Sequence, residues 1–332
     1  MTWPRAGRLA RLLFAVALTA LLFWRSDPAE VTRAAASARP APLLGALVLM
    51  SVDRALMAGR WVMLLRPFRG AGAPPIVAVI RIFFVSTFVG TFLPSVGGDA
   101  VRAYALARQG VAGPVALASV LMDRVLGVLS MVVMATAGLV VVRQLASSPA
   151  VLVALVGTVA GCGLAVAVVF SSRAEATARR VASLIPGPWA PVLRGLGRLW
   201  TAMQTYSTRR VELLIVLAAS LAVQTLRVLQ AYLLGASLGV EQPLMVYFAF
   251  VPLILLVMQL PITVSGLGTS QAAFVWCFGQ VSVPDATAFA LSILFVALGP
   301  IGNLPGGLLY TSGGLHGSSQ TPSPPGATPA GS

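Results

Sequence analysis

Asp99, Arg102, Asp123, Arg124 and Arg227 all stand within or beside stretches that are otherwise apolar. A charge at the centre of a bilayer costs at least about 2.5–3.5 kcal/mol on insertion scales, so each of them needs a partner or water. Asp99 and Arg102 are three residues apart and share a helix face. Asp123 and Arg124 are adjacent and point in different directions, so each pairs elsewhere. Asp99 with Arg124, or Asp123 with Arg102, are the cross-pairings that spacing allows. Two chemistries fit: structural ion pairs that lock helices together, or arginines in a cavity that grip a lipid phosphate with the guanidinium fork. Gln224, Arg227 and Gln230 fall on one helix face, as a polar path or as hydrogen-bonding glue between helices. Asp53 and Arg54 read as structural, and Arg81 as a side chain reaching for the interface.

The first group follows a break in the chain. Residues 88–108 read FVGTFLPSVGGDAVRAYALAR, an apolar run that stops at Pro94 and passes through Gly97 and Gly98. Proline removes a backbone donor, and glycine permits tight or left-handed turns. Broken backbone at membrane depth is tolerated where it is buried in protein or lines a water-filled cavity. A second break, QLPITVSGLGTSQ at 259–271, has Pro261, Gly266 and Gly268 in a similar order. Ile76 to Pro94 and Pro243 to Pro261 are both 18 positions. Paired Gly/Pro-interrupted segments in corresponding halves point to the binding site of a transporter with inverted repeats. The competing reading is that Pro and Gly are simply common in membrane helices.

The chain has 332 residues, 58% of them hydrophobic and 10% charged, against roughly 25% charged in a soluble domain. The expected fold is therefore all-α and polytopic, with about 6 to 8 transmembrane helices and two re-entrant hairpins in an inverted-repeat arrangement. The flippase-like domain is expected over 1–310 and a disordered Gly/Ser/Pro-rich tail over 311–332. The net charge of +14 comes entirely from arginine, since lysine is absent. These arginines flank apolar spans, which points to cytoplasmic loops and anionic headgroups rather than nucleic acid.

Arginine-rich loops also set the topology. The N-terminal run 12–24 has no small-residue cleavage site at its end, so it reads as a first transmembrane helix with the N-terminus cytoplasmic. The second span, about 42–65, ends in Arg60-Trp61, an expected interfacial anchor. The loop at 66–75 and the basic segment 171–210, whose one acidic residue is Glu175, both belong inside. Three apolar stretches lie between them, at 76–94, 115–142 and 150–170, and three crossings would put 171–210 outside. The conflict disappears if 76–108 enters from the cytoplasm and returns. Further spans are expected at 211–236, 243–260 and 285–310, with 243–280 a hairpin open to the outside.

Several enzyme classes are excluded. The one histidine, His316, is in the tail, so no Ser–His pair exists in the membrane region. An intramembrane aspartyl protease needs glycine where Val96 stands, and no Walker loop is present. Cys162 and Cys277 have no metal-ligand spacing. No metal and no cofactor are expected.

The chain resembles the flippase-like family related to the lysylphosphatidylglycerol synthase transmembrane region. Arg60-Trp61 with Leu64-Leu65, LPSVGGDAVRAYAL at 93–106, SVLMDRVLGVL at 119–129 and LPITVSGLG at 260–268 carry the resemblance. It implies a membrane domain that moves lipid between leaflets, with Pro94, Gly97, Gly98, Asp99 and Arg102 in the first motif. Asp123 and Arg124 fall in the second motif, and Pro261, Gly266 and Gly268 in the third. That family often has Arg-Glu soon after the last glycine turn, where this chain has Ser270-Gln271. The synthases add a soluble aminoacyl-transferase domain, for which this sequence has no counterpart, so no enzymatic activity is expected. The expected partner is a membrane lipid, an anionic phospholipid or a lipid-linked glycan, in the cell membrane. The alternatives are a scaffold for a separate lipid- or glycan-modifying enzyme, or an integral membrane transferase using Asp99 or Asp123.

Overall fold

The computed structural model describes residues 28–68, 73–93, 97–141, 190–259 and 268–311, with a few isolated positions besides. Ten helices are described. In chain order they are α1 (Pro28–Ala36), α2 (Pro40–Leu65), α3 (Ile76–Thr91), α4 (Gly97–Ala107), α5 (Gly113–Val141), α6 (Ala190–Gln204), α7 (Arg210–Ser237), α8 (Leu244–Gln259), α9 (Thr269–Gly279) and α10 (Asp285–Thr311). Single 3-10 turns follow α2 at Arg66–Phe68 and α6 at Thr205–Thr208. No strand occurs among the described residues.

Long, mainly apolar runs make α2, α5, α7 and α10 long enough to cross a membrane. Helices α3 and α8 have 16 residues each, or about 24 Å at 1.5 Å per residue, short of a hydrocarbon core of about 30 Å. Helices α4 and α9 have 11 each. The short pairs form two hairpins. In the first, Gly90 of α3 meets Gly98 of α4 so closely that a Cβ on Gly90 would lie 2.9 Å from the Gly98 Cα. That approach is what glycine at 98 provides. In the second, Tyr247 and Phe250 of α8 stack edge-on against Phe278 of α9, at 5.1 and 5.4 Å between centroids. The Gln242 amide, just before α8, donates to the carbonyl of Val281 just after α9 (3.0 Å).

The two halves, α1–α5 and α6–α10, exchange packing partners. Helix α2 lies antiparallel against α7: the Arg39 N–H donates to the Ser237 carbonyl (2.9 Å), Asp53 meets Arg227 (3.3 Å), and Arg60 donates to Ser220 (2.9 Å). Helix α3 packs on α10 and α8 packs on α5. Glycines make both crossings close, since Gly306 against Phe84 and Gly138 against Phe248 and Ala249 leave no room for a Cβ. Helix α1 packs on α10 as α6 packs on α5. Each contact of one half thus has its counterpart with the halves exchanged. Two equivalent helices that pair antiparallel require a two-fold axis across the bundle, so the halves are inverted repeats. The turns that follow the hairpins match too: Gly110 before α5 (φ +88°) and Ser282 before α10 (φ +61°) are both left-handed.

The spans expected at 42–65, 115–142, 211–236, 243–260 and 285–310 correspond to α2, α5, α7, α8 and α10. The stretches 12–24 and 150–170, most of the basic segment before α6, and the tail beyond 311 lie outside the described residues. So do Pro94, Pro261 and Gly266, which fall in the sequence between α3 and α4 and between α8 and α9.

Candidate functional site

Spacing of three to four residues turns Met50, Asp53, Arg54, Met57 and Arg60 of α2 inward. The charged ones then have to be compensated inside the bundle. Two arginine–aspartate–arginine triads do this. In the first, Asp123 of α5 holds Arg60 (2.7 Å) and Arg102 of α4 (3.4 Å). Arg102 also donates to the hydroxyls of Ser86 and Thr87 on α3, both at 3.4 Å. Its guanidinium lies over the rings of Phe83 (4.7 Å) and Trp61 (5.3 Å), each an electrostatic gain for a desolvated cation. In the second triad, Asp53 meets Arg227 of α7 at 3.3 Å and Arg54 at 3.8 Å. Formally each triad holds two positive charges against one negative. A third contact joins Asp99 on α4 to Arg124 on α5.

These groups surround a central cavity of about 580 Å³ between α2, α3, α4, α7, α8 and α10. Its lining is mixed. Asp53, Arg54, Ser86, Thr87, Asp99, Arg102, Arg227, Gln230 and Asn303 form the polar part. Leu255, Met258, Phe295, Val296 and Leu298 form the apolar part.

The residues singled out from the sequence divide accordingly. Asp99, Arg102, Arg227 and Gly98 are on the cavity wall. Asp123 stands behind Arg102, 5% exposed, and Arg124 reaches the site through Asp99. Both cross-pairings that spacing allowed are present, and no ion pair is recorded between Asp99 and Arg102 themselves. Gly97 packs against Leu93. Gly268, at φ +82°, precedes α9, and its N–H donates to the side-chain carbonyl of Gln271 (2.6 Å). Gln271 is fully buried and caps its own helix, away from the cavity wall.

Three readings change. Arg60-Trp61 is not an interfacial anchor: Arg60 is 4% exposed and Trp61 0%, because the Asp123 carboxylate and Ser220 draw the guanidinium inward and Ser119 accepts from the indole (3.3 Å). Asp53 and Arg54 line the cavity rather than only bracing helices. Arg81 finds its partner in the bundle, donating to the Leu309 carbonyl near the end of α10 (3.2 Å). Asn303 was missed altogether; a lone amide between Pro300 and Pro305 in an apolar run was its only signal.

Outside the spans, the Tyr206 hydroxyl donates to the Leu64 carbonyl (2.8 Å). Burial, and after it the negative charge of Asp123, push its pKa above the usual tyrosine value.

The family model for the lysylphosphatidylglycerol synthase TM region matches residues 8–302. The chain belongs to this family. It is a multi-pass membrane protein, and its family ties it to lipid metabolism or transport. Comparison with the curated proteins gives no match. Within the family's TM region, all the paired charges described above fall inside the matched residues.

Proposed function

We propose that the chain is a flippase, moving an anionic phospholipid or lipid-linked glycan between the leaflets of the cell membrane through the central cavity. The observation that carries this is the mixed lining of the cavity. Excess arginine charge suits a phosphate-bearing headgroup, and the leucine, methionine and phenylalanine of the same lining suit the start of an acyl chain. No bond is made or broken in this reading; a separate lipid-modifying enzyme supplies the lipid. Arg102 contributes directly at the wall, held by Asp123, while Arg124 acts through Asp99.

Orientation follows from charge. One end of the bundle carries Arg66, Arg108, Arg198, Arg209 and Arg210 against Glu212. The other carries Arg33 and Arg39 against Glu30, Glu241 and Asp285. The arginine-rich end is cytoplasmic by the positive-inside rule, and a crossing by 12–24 then returns the N-terminus to the cytoplasm.

Gly299 offers a direct test. It lines the cavity, and a Cβ added there meets nothing within 4 Å. Gly299→Trp fills the space with the ion pairs intact. In proteoliposomes, wild-type protein is expected to redistribute labelled phosphatidylglycerol faster than protein-free liposomes, and Gly299→Trp to return the rate to that of the liposomes. Wild-type protein at the liposome rate, or a fully active Gly299→Trp, overturns the reading.

A further inference from the structure

The two triads compensate their surplus charge differently. Around Asp123, the surplus arginine has two hydroxyls and two aromatic faces. Around Asp53 the arginines have much less. Arg54 and Arg227 both turn an N–H to the same thioether, the Met57 sulfur, at 3.7 and 3.3 Å. A thioether is a weak acceptor, and two guanidiniums sharing one are short of oxygen. The Arg54 Nε is buried with no acceptor. One turn along α7 from Arg227, Gln230, 4% exposed, also lines the wall, and its Nε2 has no acceptor either. Asn303, 8% exposed, spends its N–H groups on Thr87 and Thr91 and leaves Oδ1 without a donor. Buried polar groups ordinarily find partners. Here two donors, one acceptor and a surplus positive charge belong to residues that line one cavity.

We propose that Arg54, Arg227 and Gln230 form a subsite for a phosphate oxyanion, and that Asn303 accepts a hydrogen bond from a hydroxyl beside it. This rests on the reading of the cavity as a headgroup path and narrows it: the phosphate is gripped from α2 and α7, not by Arg102 or Arg124. A phosphodiester supplies the missing acceptor oxygens, and a glycerol or sugar headgroup supplies the missing hydroxyl. Arg102 and Arg124 keep their carboxylates, and Arg102 adds to the lining from α4.

The fold tolerates the test, because removing either arginine leaves Asp53 in a neutral one-to-one pair. Binding is read by native mass spectrometry of the detergent-purified chain, with phosphatidylglycerol, phosphatidylcholine and inorganic phosphate as separate probes. A melting curve for each variant checks folding. Removing a hydrogen bond to a charged group costs about 1.5–3 kcal/mol. Arg54→Gln and Gln230→Leu are therefore expected to weaken phosphatidylglycerol roughly 10- to 100-fold. Asn303→Leu is expected to narrow the preference for phosphatidylglycerol over phosphatidylcholine, whose headgroup has no hydroxyl. Inorganic phosphate bound in place of phosphatidylglycerol, and lost in the same variants, supports the subsite but assigns it to free phosphate. Phosphatidylglycerol bound equally by wild type, Arg54→Gln and Gln230→Leu overturns the subsite and leaves the flippase reading standing. Wild-type protein that takes up none of the phosphate probes overturns both.

Discussion

The same place in the two repeats is built from opposite chemistry. Helices α4 and α9 begin at 97 and 269, and α5 and α10 at 113 and 285, which is 172 positions in each case. Arg102 thus corresponds to Phe274 and Asp123 to Phe295. In the first repeat that pair is an ion pair at 3.4 Å; in the second it is a ring contact at 5.4 Å between centroids. Helices α2 and α7 begin at 40 and 210, which makes Gln230 the counterpart of Arg60. One backbone arrangement therefore holds a charged triad on one side of the axis and two phenylalanines with an amide on the other. The fold does not require charge at this joint, since the apolar version closes the second repeat equally well. Charge in the first repeat sets Arg102 on the cavity wall, to which the second repeat adds both polar side chains, Arg227, Gln230 and Asn303, and the apolar ones of α8 and α10.

The sharpest way to break this contrast is to remove the shared carboxylate. Asp123→Asn leaves Arg60 and Arg102 buried without their counter-ion, and breaking a buried pair in this way costs about 3–5 kcal/mol. A large drop in melting temperature in detergent is expected; an unchanged melt would mean that the two arginines have water or another anion. A second test writes the second repeat's chemistry into the first. The triple variant Arg60→Gln, Arg102→Phe, Asp123→Phe is expected to melt within a few degrees of wild type, because buried ion pairs are often replaced by packed apolar groups without loss. The same variant is expected to lose lipid redistribution. If it folds and still moves lipid, the charge asymmetry has no part in transport. The smallest effect belongs to the hairpin tip of the second repeat. Gln271→Ala removes the side-chain acceptor for the Gly268 N–H and should cost about 1 kcal/mol, a normal loss for a helix cap, measured by the same melts.

Much of the first repeat was legible because its signals are chemical. Charge inside an apolar run is costly enough to stand out, so Asp99, Arg102, Asp123 and Arg124 could be picked out, and their spacing narrowed the pairings. The hairpins were legible through glycine and the short apolar runs. The second repeat is nearly silent by comparison. Phe274 and Phe295 look like any membrane core residues, and nothing in one sequence says that they replace an ion pair. Arg60 was misplaced because tryptophan beside arginine near a span's end is also the pattern of an interfacial anchor; only the fold brings Asp123 to it. Asp53 and Arg54 were read as braces because adjacency conceals that α7 approaches just there with Arg227. Asn303 escaped because a single amide has no periodicity. In each case the missing information is which distant helix arrives at that height, which composition does not encode.

The exchange of partners between halves also has a consequence in time. Arg81 donates its hydrogen bond to the carbonyl of Leu309, 228 residues further along. At about 5–20 residues per second of synthesis, that carbonyl leaves the ribosome roughly 10 to 50 s after the arginine. Through that interval, the first hairpin sits in the bilayer without the helix that covers it, and α8 arrives to find α5 already waiting. The second half of the chain therefore meets partners already made, whereas the first hairpin waits for its cover until nearly the last helix has been made.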